Sequence, residues 1–214
     1  MANPRYARTA AICGMIGPLL FAAIIAGLTF DEYAFLRTIG WDPVHALDWP
    51  SALALGPHGR LMTLSFLVSG LLMSFFATGL RAGLAKNRLS SAGTTLLLLA
   101  GIALAGLAFS TDLTLRTTPA TWHGILHDSF FVVLGLTLLP AMLLLGAAFR
   151  LDASWRHLAW YTFLTVALVL PAFWIKGGAF YLFLAGVLLW SEVISLRLLQ
   201  LAVQTIQASR RVSP

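Results

Sequence analysis

The chain has 214 residues, of which 59% are hydrophobic and 10% are charged, with a formal net charge of +6. Soluble domains carry about 25% charged residues, so this composition excludes an ordinary soluble protein and predicts an integral membrane protein. The basic residues stand at the ends of apolar runs and form no stripe with interleaved aromatic residues, which excludes a nucleic-acid-binding surface.

Six apolar segments follow one another along the chain, most of them close to the ~20 residues that a membrane-spanning helix needs. They cover approximately residues 8–30, 60–82, 90–110, 122–149, 156–175 and 178–204. Backbone polar groups in lipid must be satisfied within the segment, so these segments are predicted to be helices. The sequence therefore predicts an all-α fold: one polytopic domain over residues 1–214, built as a six-transmembrane-helix bundle with a long loop at 31–59.

The first segment follows two arginines, Arg5 and Arg8, as a secretory signal peptide would. Its apolar run is too long for a signal sequence, however, and no small-residue cleavage site follows it. We interpret it as a retained first helix. It contains the single cysteine, Cys13, which excludes an intrachain disulfide.

The basic residues predict the orientation of the bundle, because cytoplasmic loops of membrane proteins carry an excess of Lys and Arg. With both termini inside, four basic residues face outward: Arg37, Arg60, Arg116 and Lys176. Ten face inward: Arg5, Arg8, Arg81, Lys86, Arg88, Arg150, Arg156, Arg197, Arg210 and Arg211. This asymmetry predicts that the N- and C-termini are both cytoplasmic.

The loop 31–59 contains a local helix signal. Ser51 precedes the apolar turn Ala52–Leu55, and Gly56 follows it, which predicts a short helix with Ser51 as its N-cap. Three further side chains of this loop, Asp42, His45 and His58, are candidates for binding a substrate or cofactor. Several tryptophans near segment ends predict anchors at the membrane interface; they are Trp41, Trp49, Trp122, Trp155 and Trp160.

Four short motifs occur in order along the chain: "DP" at Asp42–Pro43, "SALALGPHG" at Ser51–Gly59, "FSTD" at Phe109–Asp112 and "WHGILHD" at Trp122–Asp128. In these motifs the sequence resembles the bacterial six-helix membrane proteins catalogued as domain of unknown function 998, over essentially its whole length. The resemblance implies the fold and a set of signature positions. It implies no activity, and it leads us to expect a multi-pass protein of a bacterial plasma membrane.

The histidines of the last motif suggest metal chemistry. His123 and His127 are four residues apart and therefore share one face of a helix, a common way to present two nitrogen ligands to zinc. Asp112, eleven residues before His123 across a short loop, is the best candidate for a third ligand. The alternatives for that position come from the first loop: Asp42, His45 and His58.

These residues lead to our first hypothesis, a metal-dependent enzyme of the hydrolase type. Zinc or another divalent metal would lower the pKa of a bound water toward about 7, with Asp112 or Asp128 as base or orienting group and Ser51 bonding the substrate. A lipid or other apolar molecule at the outer face would be the substrate. Membrane hydrolases such as the alkaline ceramidases gather similar residue types around zinc, although their order and spacing differ from those here.

Two other hypotheses remain open at this stage. The same polar residues could form a hydrogen-bonded clamp between the first loop and the fourth segment, with a purely structural role. Alternatively, the protein could be a non-enzymatic transporter or binder of a small ligand, since histidine titrates near neutral pH. In every case the predicted surroundings are membrane lipids, and no cofactor other than the metal is expected.

Overall fold

We describe the protein from a computed structural model, which describes residues 3–40, 49–112, 120–175 and 178–212. Seven α-helices and one short 3₁₀ helix are found in these ranges, and no β-strand. The helices are α1 (Pro4–Asp31), α2 (Tyr33–Thr38), the 3₁₀ helix (Pro50–Leu55), α3 (Gly59–Gly83), α4 (Arg88–Gly106), α5 (Trp122–Leu151), α6 (His157–Ile175) and α7 (Gly178–Val212).

Five of these helices, α1, α3, α4, α5 and α7, are long and apolar enough to cross a membrane. The apolar part of α6, His157–Phe173, is shorter. The prediction of an all-α, multi-pass membrane protein is therefore confirmed in its general form. The count of six crossings and the cytoplasmic position of both termini stay predictions.

The long helices pack as a closed ring in chain order. Contacts join α1 to α3, α3 to α4, α4 to α5, α5 to α6, α6 to α7, and α7 back to α1. Glycine lets neighbouring helices approach closely, as is common where helices pack in membranes: a Cβ on Gly70 of α3 would overlap the backbone of Gly101 and Ala105 on α4. Because six helices surround a common centre, the ring has room for a cavity between them.

The end of the ring that contains the α5–α6 turn is closed by polar contacts. The carboxylate of Asp152 accepts a hydrogen bond from the backbone of Ala85 (3.1 Å), and Arg197 donates to the carbonyl of Ser154 (2.6 Å). These contacts turn residues 152–156 inward, so that Trp155 is fully buried and stacks on Phe149 at 5.1 Å. The prediction that Trp155 is an interface anchor is therefore wrong.

We call the opposite end of the ring the mouth; it carries the ends of α1 and α4, the starts of α3 and α5, and the 3₁₀ helix. The 3₁₀ helix begins at Pro50, whose fixed φ suits a first helical position, and its N-cap is Trp49. Ser51 therefore lies inside the first turn and does not cap it, contrary to the sequence prediction. Leu53 is fully buried and fixes this segment over the bundle.

Candidate functional site

His127 fastens the turn that follows α4 to the first turns of α5. Its side chain is buried, with 5% of the residue exposed, and its Nδ1 lies 3.0 Å from the carbonyl oxygen of Leu107 and 2.8 Å from that of Phe109. Both partners can only accept, so Nδ1 must carry the hydrogen. In the neutral ring, Nε2 is then left as the acceptor.

This contact also explains where α4 ends. The sequence predicts an apolar helix up to residue 110, but α4 stops at Gly106. The last carbonyl groups of α4 bond the backbone of the turn that follows it, as in the bond from Phe109 N–H to the carbonyl of Gly106 (3.2 Å), so the carbonyls of the turn itself need other partners. In this chain the carbonyls of Leu107 and Phe109 bond the imidazole of His127. The ring edge packs against Phe66, with ring centroids 6.1 Å apart.

Thr121 and Asp112 form a second connection between the turn that follows α4 and the start of α5. Thr121 is the N-cap of α5 and accepts a hydrogen bond from the backbone of Gly124 (3.1 Å). Its hydroxyl donates to Asp112 Oδ1 (2.5 Å), and its backbone N–H donates to Asp112 Oδ2 (3.0 Å). Both oxygens of the carboxylate are therefore engaged by one residue.

The pKa of Asp112 lies below its usual value, because the hydroxyl of Thr121 and then its backbone N–H donate to the carboxylate. The nearby His123 adds a smaller lowering effect. A carboxylate with a lowered pKa is a weaker general base at neutral pH. This electrostatic setting suits a positioning or clamping role for Asp112.

His123 completes the group. Its Nδ1 lies 3.0 Å from the carbonyl oxygen of Ser110 and 2.9 Å from the hydroxyl of Thr121, and 4.0 Å from Asp112 Oδ1. We refer to Asp112, Thr121, His123 and His127 together as the α5 clamp. The glycine of the motif is required by this clamp, because a Cβ on Gly124 would overlap the carboxylate of Asp112.

The structure brings only some of the predicted site residues together. Asp112 and His123 are neighbours through Thr121, whereas His127 bonds a different stretch of the turn. Within the described ranges, three potential metal-ligand atoms lie within 4.8 Å of one another in a different group, which consists of Asp31, Glu32 and His58. The predicted residues Asp42 and His45 lie outside the described residues.

Glu32 is a residue that the sequence interpretation did not select. It is 3% exposed although it follows directly on the apolar α1. Two adjacent acidic residues, Asp31 and Glu32, at the end of an apolar helix could have marked this position as a candidate site. The sequence alone, however, does not show that one of them turns into the protein.

A cavity of about 310 Å³ lies at the centre of the ring near the mouth. This volume is at the lower end of the range for small-molecule sites. Most of its lining is aliphatic or aromatic and comes from α1, α3, α4, α5, α6 and α7. The polar lining residues are Ser51, Thr111, His127 and Asp128, so three predicted site residues meet at one cavity.

Aromatic rings form one wall of this cavity. Trp49 packs edge-on against Phe131 of α5 (4.9 Å between ring centroids) and against Phe180 of α7 (4.7 Å). Phe131 also stacks on Phe173 of α6 at 5.7 Å. Trp49 therefore joins the first loop to the helices around the cavity.

The cavity continues deeper into the ring. A smaller pocket of about 80 Å³ shares lining residues with it, including Phe21, Leu104 and Leu134, and extends to Gly17 and Ser191. Together the two pockets form a largely apolar crevice, with polar groups mainly at the mouth. This shape suits a molecule with an apolar body and a small polar end.

Comparison with known proteins supplies a family assignment without an activity. The model of one protein family, described as a protein of unknown function (DUF998), matches residues 15–202. Searches of curated proteins and of solved structures found no significant match.

Proposed function

The chain belongs to the DUF998 family, whose function is unknown, and we propose from its site that it binds an apolar molecule with a small polar end. The observation that carries the proposal is the cavity of about 310 Å³ inside the helix ring. Binding sites for small molecules are typically apolar, with a few polar groups that fix the orientation of the ligand. This cavity has that distribution.

The polar groups at the mouth define how the ligand is oriented. Since Nδ1 of His127 is bonded to carbonyl groups, Nε2 is the ring atom that can accept a hydrogen bond from a ligand hydroxyl or amide. Ser51 and Thr111 offer hydroxyl groups at the same cavity. We assign the polar end of the ligand to these groups and its apolar body to the deeper crevice.

The surrounding lipid is the natural source of such a ligand. Asp128, Phe131, Val132 and Gly135 form one stripe of α5 along the cavity. Val132 belongs to this lining and is also 56% exposed, so the cavity reaches the outside of the ring beside α5. A lipid or lipid-like molecule can reach the cavity by this side without crossing water.

The membrane and orientation form part of the proposal. We propose a bacterial plasma membrane, with both termini in the cytoplasm and the mouth facing outward. The support is the distribution of Lys and Arg, ten against four, across the two ends of the segments. The accessibility of a single cysteine introduced at an exposed position near the mouth, such as Tyr33, to a membrane-impermeant reagent tests the orientation.

A binding assay with cavity variants tests the function. Val132→Trp places an indole at the cavity, whereas Leu136→Trp adds the same group on the same helix outside the cavity lining, where Leu136 is 70% exposed. We expect lipids that co-purify with the protein in detergent to be reduced at least tenfold by Val132→Trp and unchanged by Leu136→Trp. Equal recovery from wild type and Val132→Trp contradicts the proposal.

A second candidate function is a metal-dependent enzyme that acts on the molecule held in this cavity. It is favoured by the meeting of Ser51, His127 and Asp128 at the cavity lining. Because Nδ1 of both His123 and His127 is bonded to carbonyl oxygens, a zinc or other divalent ion would bind through the Nε2 atoms. Asp112 would serve as the proposed third ligand by exchanging one of its hydrogen bonds to Thr121 for the ion.

Metal content separates this candidate from simple binding. An enzyme of this type requires about one metal ion per chain that is lost in His123→Ala and His127→Ala, together with product formation. Lipid binding without product, and without a metal ion that depends on His123 and His127, supports the first proposal. A transporter would instead show flux of the ligand in liposomes.

A further inference from the structure

A second group of chemically reactive side chains lies at the mouth, separate from the lining of the cavity. His58 precedes α3, and its Nδ1 lies 3.1 Å from Asp31 Oδ2 and 3.3 Å from Glu32 Oε1. The potential ligand atoms of all three residues are within 4.8 Å of one another. The group thus presents one imidazole nitrogen and two carboxylates at one point.

Glu32 is the unusual member of this group. Its side chain is only 2% exposed, whereas those of His58 and Asp31 are 61% and 64% exposed. Glu32 Oε1 accepts a hydrogen bond from the backbone N–H of His58, and its Oε2 is buried with no hydrogen-bond partner among the residues that the structure describes. A buried carboxylate is costly unless a positive charge or several donors compensate it. The described contacts leave this compensation incomplete.

The spacing of the group matches that of metal ligands. Atoms bound at about 2.0–2.1 Å to a tetrahedral metal lie about 3.3 Å from each other. The distances from His58 Nδ1 to the two carboxylates, 3.1 and 3.3 Å, are close to this value. A metal ion would replace the hydrogen on Nδ1, and the ligand atoms of the two carboxylates already lie within 4.8 Å of each other.

We propose that Asp31, Glu32 and His58 bind a divalent transition-metal cation of the zinc type. An imidazole nitrogen favours such metals, whereas Ca²⁺ prefers six to eight oxygen ligands. The exposed Asp31 and His58 give the ion access from water, and the buried Glu32 supplies the charge that the ion neutralises. Water completes the coordination on the exposed side.

The bound ion would hold the first loop in place. Its ligands join the end of α1 to the start of α3, and Gly56 packs so closely on Glu32 that a Cβ there would overlap the carboxylate. The 3₁₀ helix immediately before Gly56 carries Pro50 and Ser51, which line the cavity. The ion therefore stabilises the segment that covers the cavity.

Zinc binding to the detergent-purified full-length protein tests this inference. After removal of metal with a chelator, we expect uptake of one Zn²⁺ per chain, with an affinity reduced at least tenfold by His58→Ala and by Asp31→Asn. Both substituted side chains are largely exposed, so folding is preserved. Excess Ca²⁺ should not compete, and Zn²⁺ should raise the melting temperature of the wild type but not of His58→Ala.

A matched variant distinguishes this site from the α5 clamp. His123→Ala should leave Zn²⁺ uptake unchanged. Absence of uptake by the wild type overturns the inference and leaves only the polar contacts of His58 with the two carboxylates. Uptake that survives His58→Ala but is lost in His123→Ala also overturns it. Lipid recovery from metal-free protein is measured separately, so failure of the zinc site and failure of the cavity proposal are distinguishable.

Discussion

Nδ1 of His127 lies 2.8 Å from the carbonyl oxygen of Phe109, and this bond holds the end of α4 against the start of α5. The same nitrogen is within 3.0 Å of the carbonyl of Leu107. One of the two histidines that the sequence predicted as metal ligands thus has a structural partner on one nitrogen and a cavity beside its ring. A single residue connects the stability of the mouth with the proposed binding site.

Replacing His127 with alanine is expected to destabilise the protein by about 1–3 kcal/mol, the typical cost of leaving a buried polar group without its partner. The two carbonyl groups of the turn lose their donor, and the buried ring leaves a void. Thermal unfolding in detergent measures the change. His123→Ala, at a more exposed side chain, should cost less; a larger loss from His123→Ala than from His127→Ala would contradict this ranking.

Gly124→Ala is expected to destabilise the protein by about 1–3 kcal/mol through overpacking, because its Cβ would overlap the carboxylate of Asp112. The control is Gly27→Ala in α1, where a Cβ would meet no atom within 4 Å. Alanine is a better helix former than glycine, so the control should be neutral or slightly stabilising. Equal melting temperatures for the two variants would show that Gly124 is not held against Asp112.

The stabilisation of the folded protein by Asp112 should decrease at low pH. Its pKa in the folded protein lies below the ordinary value of 3.8, because the ionised carboxylate accepts hydrogen bonds from Thr121. The contribution is therefore fully present above about pH 3.8 and is lost as the pH falls through the lowered folded value. The stability difference between wild type and Asp112→Asn, measured by chemical unfolding from pH 7 to pH 3, should be constant at first and then shrink. A difference that grows toward low pH would contradict the assignment.

Comparison of Ser51→Ala with Thr121→Ala should distinguish a residue that binds the ligand from a residue that caps a helix. Thr121 accepts a hydrogen bond from the backbone of Gly124, and loss of such an N-cap typically costs about 1 kcal/mol. Ser51 caps no helix but lines the cavity. We expect Ser51→Ala to leave the melting temperature unchanged while it weakens retention of lipid, and Thr121→Ala to lower the melting temperature. A loss of stability from Ser51→Ala equal to that from Thr121→Ala would contradict the assignment of Ser51 to the ligand.

The positions of the helices were largely predictable because membrane insertion depends on local composition. Any run of about 20 apolar residues must satisfy its backbone internally, whatever its neighbours are. The N-cap Thr121 was predictable for the same reason, since a cap acts within one helical turn. The end of α4 was not, because the carbonyls of Leu107 and Phe109 bond a histidine about twenty residues later in the chain.

The candidate site was predictable only in its residue types. The H-x-x-x-H spacing correctly placed His123 and His127 on one helix, but the bonding of each ring depends on the turn that meets α5. The burial of Glu32 was also not predictable, because Glu32 and Asp31 are adjacent acidic residues and the sequence does not distinguish the buried one from the exposed one. Packing against Gly56 and His58 buries one of them and leaves the other exposed.

The sequence by itself determined the class of the protein, the approximate helices and the motif that opens α5, since hydropathy, capping and helical spacing act over short distances. Only the tertiary structure decided which faces of the helices meet around the cavity, which nitrogen of each histidine is engaged, and which acidic residues gather around His58. These features depend on contacts between segments far apart in the chain. The partner of each polar side chain in this bundle therefore depends on how the helices and loops pack against one another.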